Sequence, residues 1–445
     1  MRKSDVQVLS AAASFRPIRL DQPLSISGRE ISSFSMAVVE VRVVDRTGTP
    51  GRGLGTTMLS VPWAWPVADI GLDERDRALR ELTEELADAL VQTGPGDPIT
   101  LWRGLYSGLD ERLGRLAERY RVPHIPRLAG LLALGAVDSA VHDAWAAAAG
   151  RPASTMYDAA HLTDDLGWLD PALAGHYPGD FLTTPRRRLP VQHVVGVSDP
   201  LTVAEADDGG RALTEWLRTE GVRSLKVKLS GQRPEQDARR VVDITRLAQA
   251  EVGPVEVALD PNEGCAGAED VLRLLEEIER IAPEVMPALQ YLEQPVPRDA
   301  PAEPAAMTRL GKRLPVLLDE GFADLSLLPR LRELGWSGVV VKAAKGHSLA
   351  LLTHAYARAH GLWVVVQDLT AVSWALVHSA RLVSTFDLSS VHLEYNSRQY
   401  APGAARELLA DLPELIRVRG GRVQLPAPAA SGLYELASST AEETE

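Results

Sequence analysis

The chain has 445 residues, 45% of them hydrophobic and 24% charged, with a formal net charge of −13. That length exceeds one minimal core and suits a large domain with a smaller companion. Its acidic residues are scattered rather than gathered in tracts, which argues against nucleic acid and an anionic membrane surface as partners.

No apolar run is long enough to span a bilayer, and the start, MRKSDVQVLS, lacks the apolar stretch of a secretion signal. The single cysteine, Cys265, excludes an internal disulfide and suits a reducing, cytoplasmic compartment. The polar tail STAEETE, 439–445, reads as disordered.

Residues 31–59 alternate as paired strands, FSMAVVEVRVVD and GLGTTMLS about the turn signal RTGTPG. A helix follows in DERDRALRELTEELADALVQ, where Leu79, Leu82, Leu86 and Leu90 recur at helical spacing. Another lies in LLALGAVDSAVHDAWAAAAG, closed by Gly150 and Pro152. Strands and helices segregated in this way predict an α+β domain over 1–150.

From Leu189 the pattern changes. VQHVVGV, SLKVKL, VEVALD, LQYLEQ, PVLLDE, GVVVKAA, LWVVVQD and SVHLEY are short apolar runs, most of them separated by amphipathic stretches such as VLRLLEEIERIA. Eight strands alternating with helices predict a (β/α)-barrel over 189–400. No GxGxxG turn follows a strand, so an open doubly wound sheet is the weaker alternative. Residues 151–188 link the two parts, the stretch from Ser154 to Arg188 being long enough to fold over the barrel mouth, and 401–445 follow the barrel.

In a barrel, polar groups at the C-terminal ends of the strands share one mouth. Those ends carry Lys228, Asp260, Glu293, Asp319, Lys342 and Glu394; the first five lie 32, 33, 26 and 23 residues apart, about one strand–helix unit each. Lys226 shares a strand face with Lys228, and two buried ammonium groups on one face need a reason. An exposed edge strand is the bland reading of that pair, and a helix cap that of Asp260. The common phase favours a site instead.

Three carboxylates from neighbouring strands suit one Mg²⁺, with Mn²⁺ as an alternative. The lysines, four strands apart, would face a metal-bound carboxylate substrate from opposite sides, with pKa values lowered by desolvation and by one another. One would remove the α-proton and the other return it, while the ion stabilises the enediolate. Lys226 adds positive charge and is placed to contact the substrate carboxylate. Of the adjoining Asp319 and Glu320, one is expected to point inward, and Lys345 reads as the start of the next helix or loop. Trp63 and Trp65 in SVPWAWPV either pack as a cluster or line the pocket. His193, His142, Asp143 and Cys265 read as structural.

The ordered set KVK (226–228), LDPN (259–262), LEQP (292–295), LLDE (317–320) and VKAAK (341–345) resembles the enolase superfamily, in its muconate-lactonizing and dipeptide-epimerase subgroup. AVDSAVHDAWAAAAGRP is similar to the helix joining that family's capping domain to its barrel, and SGLYEL (431–436) to the returning C-terminal segment. The resemblance implies a (β/α)7β barrel with an α+β N-terminal cap completed by the C-terminal segment. It also implies Lys228 and Lys342 as the acid/base pair, Asp260, Glu293 and Asp319 as Mg²⁺ ligands with Asn262 beside them, and a cap loop bringing Trp63 to the substrate. An assembly of identical chains is implied as well. Strand eight carries His392-Leu393-Glu394 where dipeptide epimerases carry Asp-x-Asp for a substrate ammonium, which leaves Glu394 as the acid of that wall.

The expected activity is racemisation or epimerisation of a small carboxylic acid or amino-acid derivative. Cycloisomerisation or dehydration would use the same residues, and a ligand-binding barrel without catalysis is the alternative of another class. A metal amidohydrolase would need more histidines on strand one than VQHVVGV offers.

Overall fold

A computed structural model describes residues 2–26, 29–206, 210–301, 303–410, 412–426 and 431–434. The tail read as disordered, and Glu435 and Leu436 of SGLYEL, lie outside the described residues.

The N-terminal part is a three-stranded antiparallel sheet: β1 (Val6–Ile26), β2 (Arg29–Asp45) and β3 (Pro50–Leu59), in that order. The sequence reading found only the second and third. In β1 exposed and half-buried positions alternate from Ser10 to Arg16, but most of these residues are Ala or Ser, so the strand carries little apolar periodicity. Packed on the sheet are α1 (Val61–Ala64), α2 (Leu72–Val91), α3 (Pro98–Ser107), α4 (Leu109–Tyr120) and α5 (Arg127–Ala148). The α3 and α4 pair was not anticipated; Asp97 caps α3 by accepting from Thr100 N at 3.0 Å.

A helix buried on all sides needs apolar neighbours on all sides, and α5 has them. One side lies on β3, where a Cβ at Gly51, Gly53 or Gly55 would run into the carbonyl oxygens of Ala144, Ala140 and Ala136. Another side meets the barrel, where a Cβ at Gly135 would strike the carbonyl of Ala344. The glycine–alanine seam lets helix and strand approach to backbone contact.

The larger part is an eight-stranded parallel sheet: β4 (Arg188–Val195), β5 (Ser224–Lys228), β6 (Glu256–Asp260), β7 (Leu289–Glu293), β8 (Val316–Leu318), β9 (Gly338–Lys342), β10 (Trp363–Gln367) and β11 (Leu393–Glu394). The order runs from β10 back through β4 to β11, so the two ends are consecutive in the chain. They meet where Ser389 N donates to Val364 O at 2.9 Å. Helices α6 (Leu213–Glu220), α7 (Pro234–Val252), α8 (Ala268–Ile281), α9 (Pro304–Arg313), α10 (His347–Ala359) and α11 (Trp374–Thr385) alternate with the strands outside. All eight predicted runs are strands, and the fold is the expected α/β barrel with a capping sheet. A short β12 (Arg422–Gln424) pairs antiparallel with β4. Leu433 then brings the chain back to the cap, its N–H donating to Asp143 of α5 at 2.7 Å.

The segment from Ser154 to Arg188 does not cover the mouth. It packs on the flank of α10 and α11, where Thr183 N donates to Thr385 O at 2.7 Å and Tyr157 OH meets His347 Nε2 at 2.8 Å. Its Leu162, Leu166 and Leu173 are buried in the main apolar core rather than over the charged mouth. Among the described residues no helix is long and apolar enough to cross a membrane.

Candidate active site

Parallel register carries the strand ends to one level: Lys228 lies beside Asp260, and Gln367 beside Lys342. One pocket at that level is lined by Lys226, Lys228, Glu293, Asp319, Lys342 and Glu394 from the barrel. Trp63 and Ser60 of the cap close it from above, with Leu24 and Phe34. Asp260 sits just behind, bonded to both lysines of β5. The residues predicted from strand-end phase are therefore together.

Their charges are interleaved. Lys226 Nζ, fully buried, lies 2.8 Å from Glu293 Oε1, 3.1 Å from Asp260 Oδ2 and 3.4 Å from Glu394 Oε2. Lys228 Nζ donates to Asp260 Oδ2 at 2.5 Å and to Asn262 Oδ1 at 2.7 Å. Lys342 Nζ lies 3.1 Å from Asp319 Oδ2 and 3.8 Å from Glu293 Oε1. Glu394 also accepts from Asp368 N at 3.2 Å.

Burial alone would strip a proton from these lysines. For Lys226 the opposing carboxylates of Glu293, Glu394 and Asp260 outweigh burial, and its ammonium is held well above the usual lysine range. Lys342 is likewise raised, burial being overcome by Asp319 and Glu293. The expectation that desolvation and a neighbouring cation lower the pKa of Lys342 is thus reversed. Glu293 is pushed up to about 8 by burial and by the adjacent acids Asp260 and Asp319.

Two features escaped the sequence reading. Lys345 lies in the turn after β9, as read, but it is buried: its Nζ donates to Asp319 O at 2.6 Å and Phe322 O at 3.1 Å, and lies 3.2 Å from Asp319 Oδ1. The only sign of it was a second lysine inside the apolar run VKAAK. The second is that Asp319 and Glu320 both turn inward. Strand β8 stops at Leu318, so strand alternation no longer governs them. Glu320 Oε1 accepts from Trp63 Nε1 at 2.9 Å and from Asn262 Nδ2 at 3.2 Å. Burial, then the charge of Asp319, pushes Glu320 up to about 7. The Trp63 ring stands 5.3 Å from Lys342 Nζ and 5.5 Å from Lys345 Nζ, so it is both a packing and a pocket residue. His193 is a satisfied core histidine, its Nδ1 2.8 Å from Arg398 Nη2, and burial pushes the Cys265 thiol up to about 12.

Among the described residues no three acidic, histidine or cysteine side chains close on one point as a finished metal cage. The three predicted ligands lean on lysines instead, because buried charges must pair. Their chemistry nonetheless fits a hard cation. Glu293 Oε2 is buried without a hydrogen-bond donor, the side-chain oxygens of Asp319 meet only the ammonium groups of Lys342 and Lys345, and all three acids offer only oxygen.

A parallel barrel with lysines and acids interleaved at one rim, under an antiparallel cap, is the architecture of the enolase superfamily. Residues 210–433 match the family model described as Enolase C-terminal domain-like, and the chain belongs to that family of enzymes, on its mandelate racemase/muconate lactonizing side. No curated protein sequence matches the chain.

Solved structures do match. The L-Ala-D/L-Glu epimerase from Bacillus subtilis is 17% identical with a TM-score of 0.61, over 96% of this chain and 97% of that one. The dipeptide epimerase from Enterococcus faecalis V583, complexed with Mg and the dipeptide L-Leu-L-Tyr, is 14% identical with a TM-score of 0.61, over 96% and 98%. The 2-chloromuconate cycloisomerase from Rhodococcus opacus 1CP is 18% identical with a TM-score of 0.59, over 97% and 96%. At these identities the likeness is one of fold.

Proposed function

We propose that the chain racemises or epimerises a small carboxylic acid or amino-acid derivative by removing and returning the proton α to the carboxylate. The observation that carries this reading is the placing of Lys228 and Lys342. They stand on β5 and β9, four strands apart in the sheet order, and line one pocket between them. An α-carbon held there has an amine on each face, which is what inversion of configuration requires.

Lys228 acts from the β5 side and Lys342 from the β9 side. Lys226 holds Asp260, Glu293 and Glu394 in place, and it supplies a fixed positive charge beneath the substrate carboxylate. Trp63, anchored through Glu320, covers the pocket and excludes water. Asp260, Glu293 and Asp319 would hold one Mg²⁺, or Mn²⁺ in its place. The chemistry such an ion supplies there is stabilisation of the negative charge that grows on the carboxylate as the proton leaves. Glu394, on the wall formed by β11, is placed to receive a polar group of the substrate.

The test is α-hydrogen exchange. Incubation in D₂O with Mg²⁺ and a panel of amino-acid derivatives and hydroxy acids is expected to give deuterium at the α-carbon, read by NMR, with loss of optical activity. Metal binding with no exchange across a broad panel would replace this reading by that of a ligand-binding barrel.

A further inference from the structure

Trp63 is joined to the barrel at two points. Its indole Nε1 donates to Glu320 Oε1, just after β8, and its main-chain oxygen accepts from Arg298 Nη2 at 3.0 Å. Arg298 stands in the loop after β7. The neighbouring Trp65 is held differently: its oxygen accepts from Arg75 of α2, inside the cap. The single turn of α1 is thus fixed to the cap behind Trp65 and to the barrel through Trp63.

Arg298 is itself fixed. Its Nε and Nη2 donate to the two carboxylate oxygens of Glu263 at 2.8 and 2.6 Å, and its main-chain N donates to Glu263 Oε1 at 2.6 Å. The two side chains are only 14% and 16% exposed. A forked pair sets the plane of the guanidinium as well as its place, which the point charge of an ammonium does not.

Glu263 reaches Arg298 from a strained backbone. Its φ is +68 and that of Asn262 before it +44, in the left-handed region that disfavours a side chain. Such strain persists only where the surroundings hold it. Here Glu263 N donates to Gln294 O at 2.8 Å and Cys265 N to Pro295 O at 3.0 Å. Gln294 Oε1 in turn accepts from Asp319 N at 2.9 Å and Gly321 N at 3.0 Å. The loops after β6, β7 and β8 are laced into one frame, and Arg298 is where that frame grips the main chain of Trp63.

We propose that Arg298 and Glu263 are positioning residues: the pair keeps the Trp63 turn down over the pocket before substrate arrives, so that binding does not have to close it. The inference rests on the proton-abstraction reading only for the reaction in which its effect is felt. When only a fraction of molecules is closed, apparent affinity falls by that fraction, while turnover of the closed complex is unchanged. Loss of the pair therefore shows in KM rather than in kcat.

The experiment uses Arg298→Met, which keeps a long side chain and removes every donor on it. Hydrogen exchange of the amides in Val61–Ala64, followed by mass spectrometry on the full chain without substrate, is expected to quicken at least tenfold, with those of β9 unchanged. For the acid that exchanges its α-hydrogen fastest, KM is expected to rise at least tenfold and kcat to stay within threefold. Glu263→Gln is expected to move both readings the same way by less, and the double variant to go no further than Arg298→Met alone. Amides or a KM that keep their wild-type values, whatever happens to the urea midpoint, would overturn the proposal, as would a fall in kcat with KM unmoved. The amide measurement needs no substrate, which keeps the two ideas apart. Quickened amides with no acid exchanging defeat the proton-abstraction reading and leave the latch standing; exchange with wild-type KM and wild-type amides in Arg298→Met does the reverse.

Discussion

Asp138 of α5 caps α10 from a distance: its Oδ2 accepts from Ser348 N and its Oδ1 from the Ser348 hydroxyl, both at 2.7 Å. Gly346, the residue before α10, has φ +109 and no side chain to do this, and a Cβ there would stand 3.0 Å from Asp138. The bonds run on through buried groups. Ser348 gives its hydrogen to Asp138, so its oxygen accepts from His142 Nε2 at 2.8 Å. His142 Nδ1 then accepts from Tyr157 OH at 3.0 Å. The Tyr157 oxygen accepts from His347 Nε2 at 2.8 Å, and His347 Nδ1 from His378 Nε2 at 2.9 Å. Burial holds His347 well below the usual histidine range and His378 down to about 3, so both are neutral, as this order of donors requires. Asp138→Asn puts an amide where two donors already point, and an expected loss of about 1–3 kcal/mol is checked by the urea midpoint. Ser348→Ala is expected to cost less, about 1 kcal/mol, and the double variant less than the sum.

Removing either proposed base separates its role from that of the other. Lys228→Ala and Lys342→Ala are each expected to lower racemisation by about 10²–10⁴-fold. Each should still allow α-deuterium exchange into a single enantiomer, the opposite one in the two variants. Exchange of both enantiomers at the wild-type rate in either variant removes that lysine from the chemistry.

Metal dependence is expected to follow the acids. A chelator should abolish exchange, with recovery on adding Mg²⁺ or Mn²⁺. Asp319→Asn and Glu293→Gln should each weaken Mn²⁺ binding, followed by electron paramagnetic resonance, at least tenfold. Both carboxylates are buried and offer only oxygen, and Glu293 Oε2 has no hydrogen-bond donor.

Trp63→Phe deletes one of the two hydrogen bonds on Glu320 Oε1, whose Oε2 already has no donor. The expected loss is about 1–3 kcal/mol. Hydrogen exchange of the amides in Val61–Ala64 is expected to quicken as α1 loosens.

Asp143 holds β3 and the returning C-terminal segment together, accepting from Leu54 N at 2.9 Å and Leu433 N at 2.7 Å. Burial pushes its carboxyl up from 3.8 to about 6. A raised folded-state pKa means that the folded chain binds this proton more tightly than the unfolded one. The contribution is complete below about pH 4 and is lost as pH rises through 6. At about 1.36 kcal/mol per unit this amounts to roughly 3 kcal/mol. The unfolding free energy of wild type relative to Asp143→Asn is expected to fall by nearly that amount between pH 3 and 7.

The barrel was legible because parallel strands, covered on both faces, read as uninterrupted apolar runs, and GVVVK and WVVVQ are strands with little else in them. The mouth was legible because Lys228, Asp260, Glu293, Asp319 and Lys342 recur once per unit. What stayed hidden depends on partners far away in the chain. Glu320 turns inward for Trp63, 257 residues earlier, and Ser348 reaches Asp138 across 210. No local period records such pairings. Strand β1 was hidden for a different reason: its cross-strand bonds to β2 hold a segment whose side chains are half in water.

The seam of Gly51, Gly53 and Gly55 against α5 bears on how a substrate gets in. Helix α5 touches the cap sheet backbone to backbone along one side and the turn after β9 along another, so it is a shared beam rather than a hinge. The cap as a body is welded to the barrel, and admission to the site falls to the short loops at the rim.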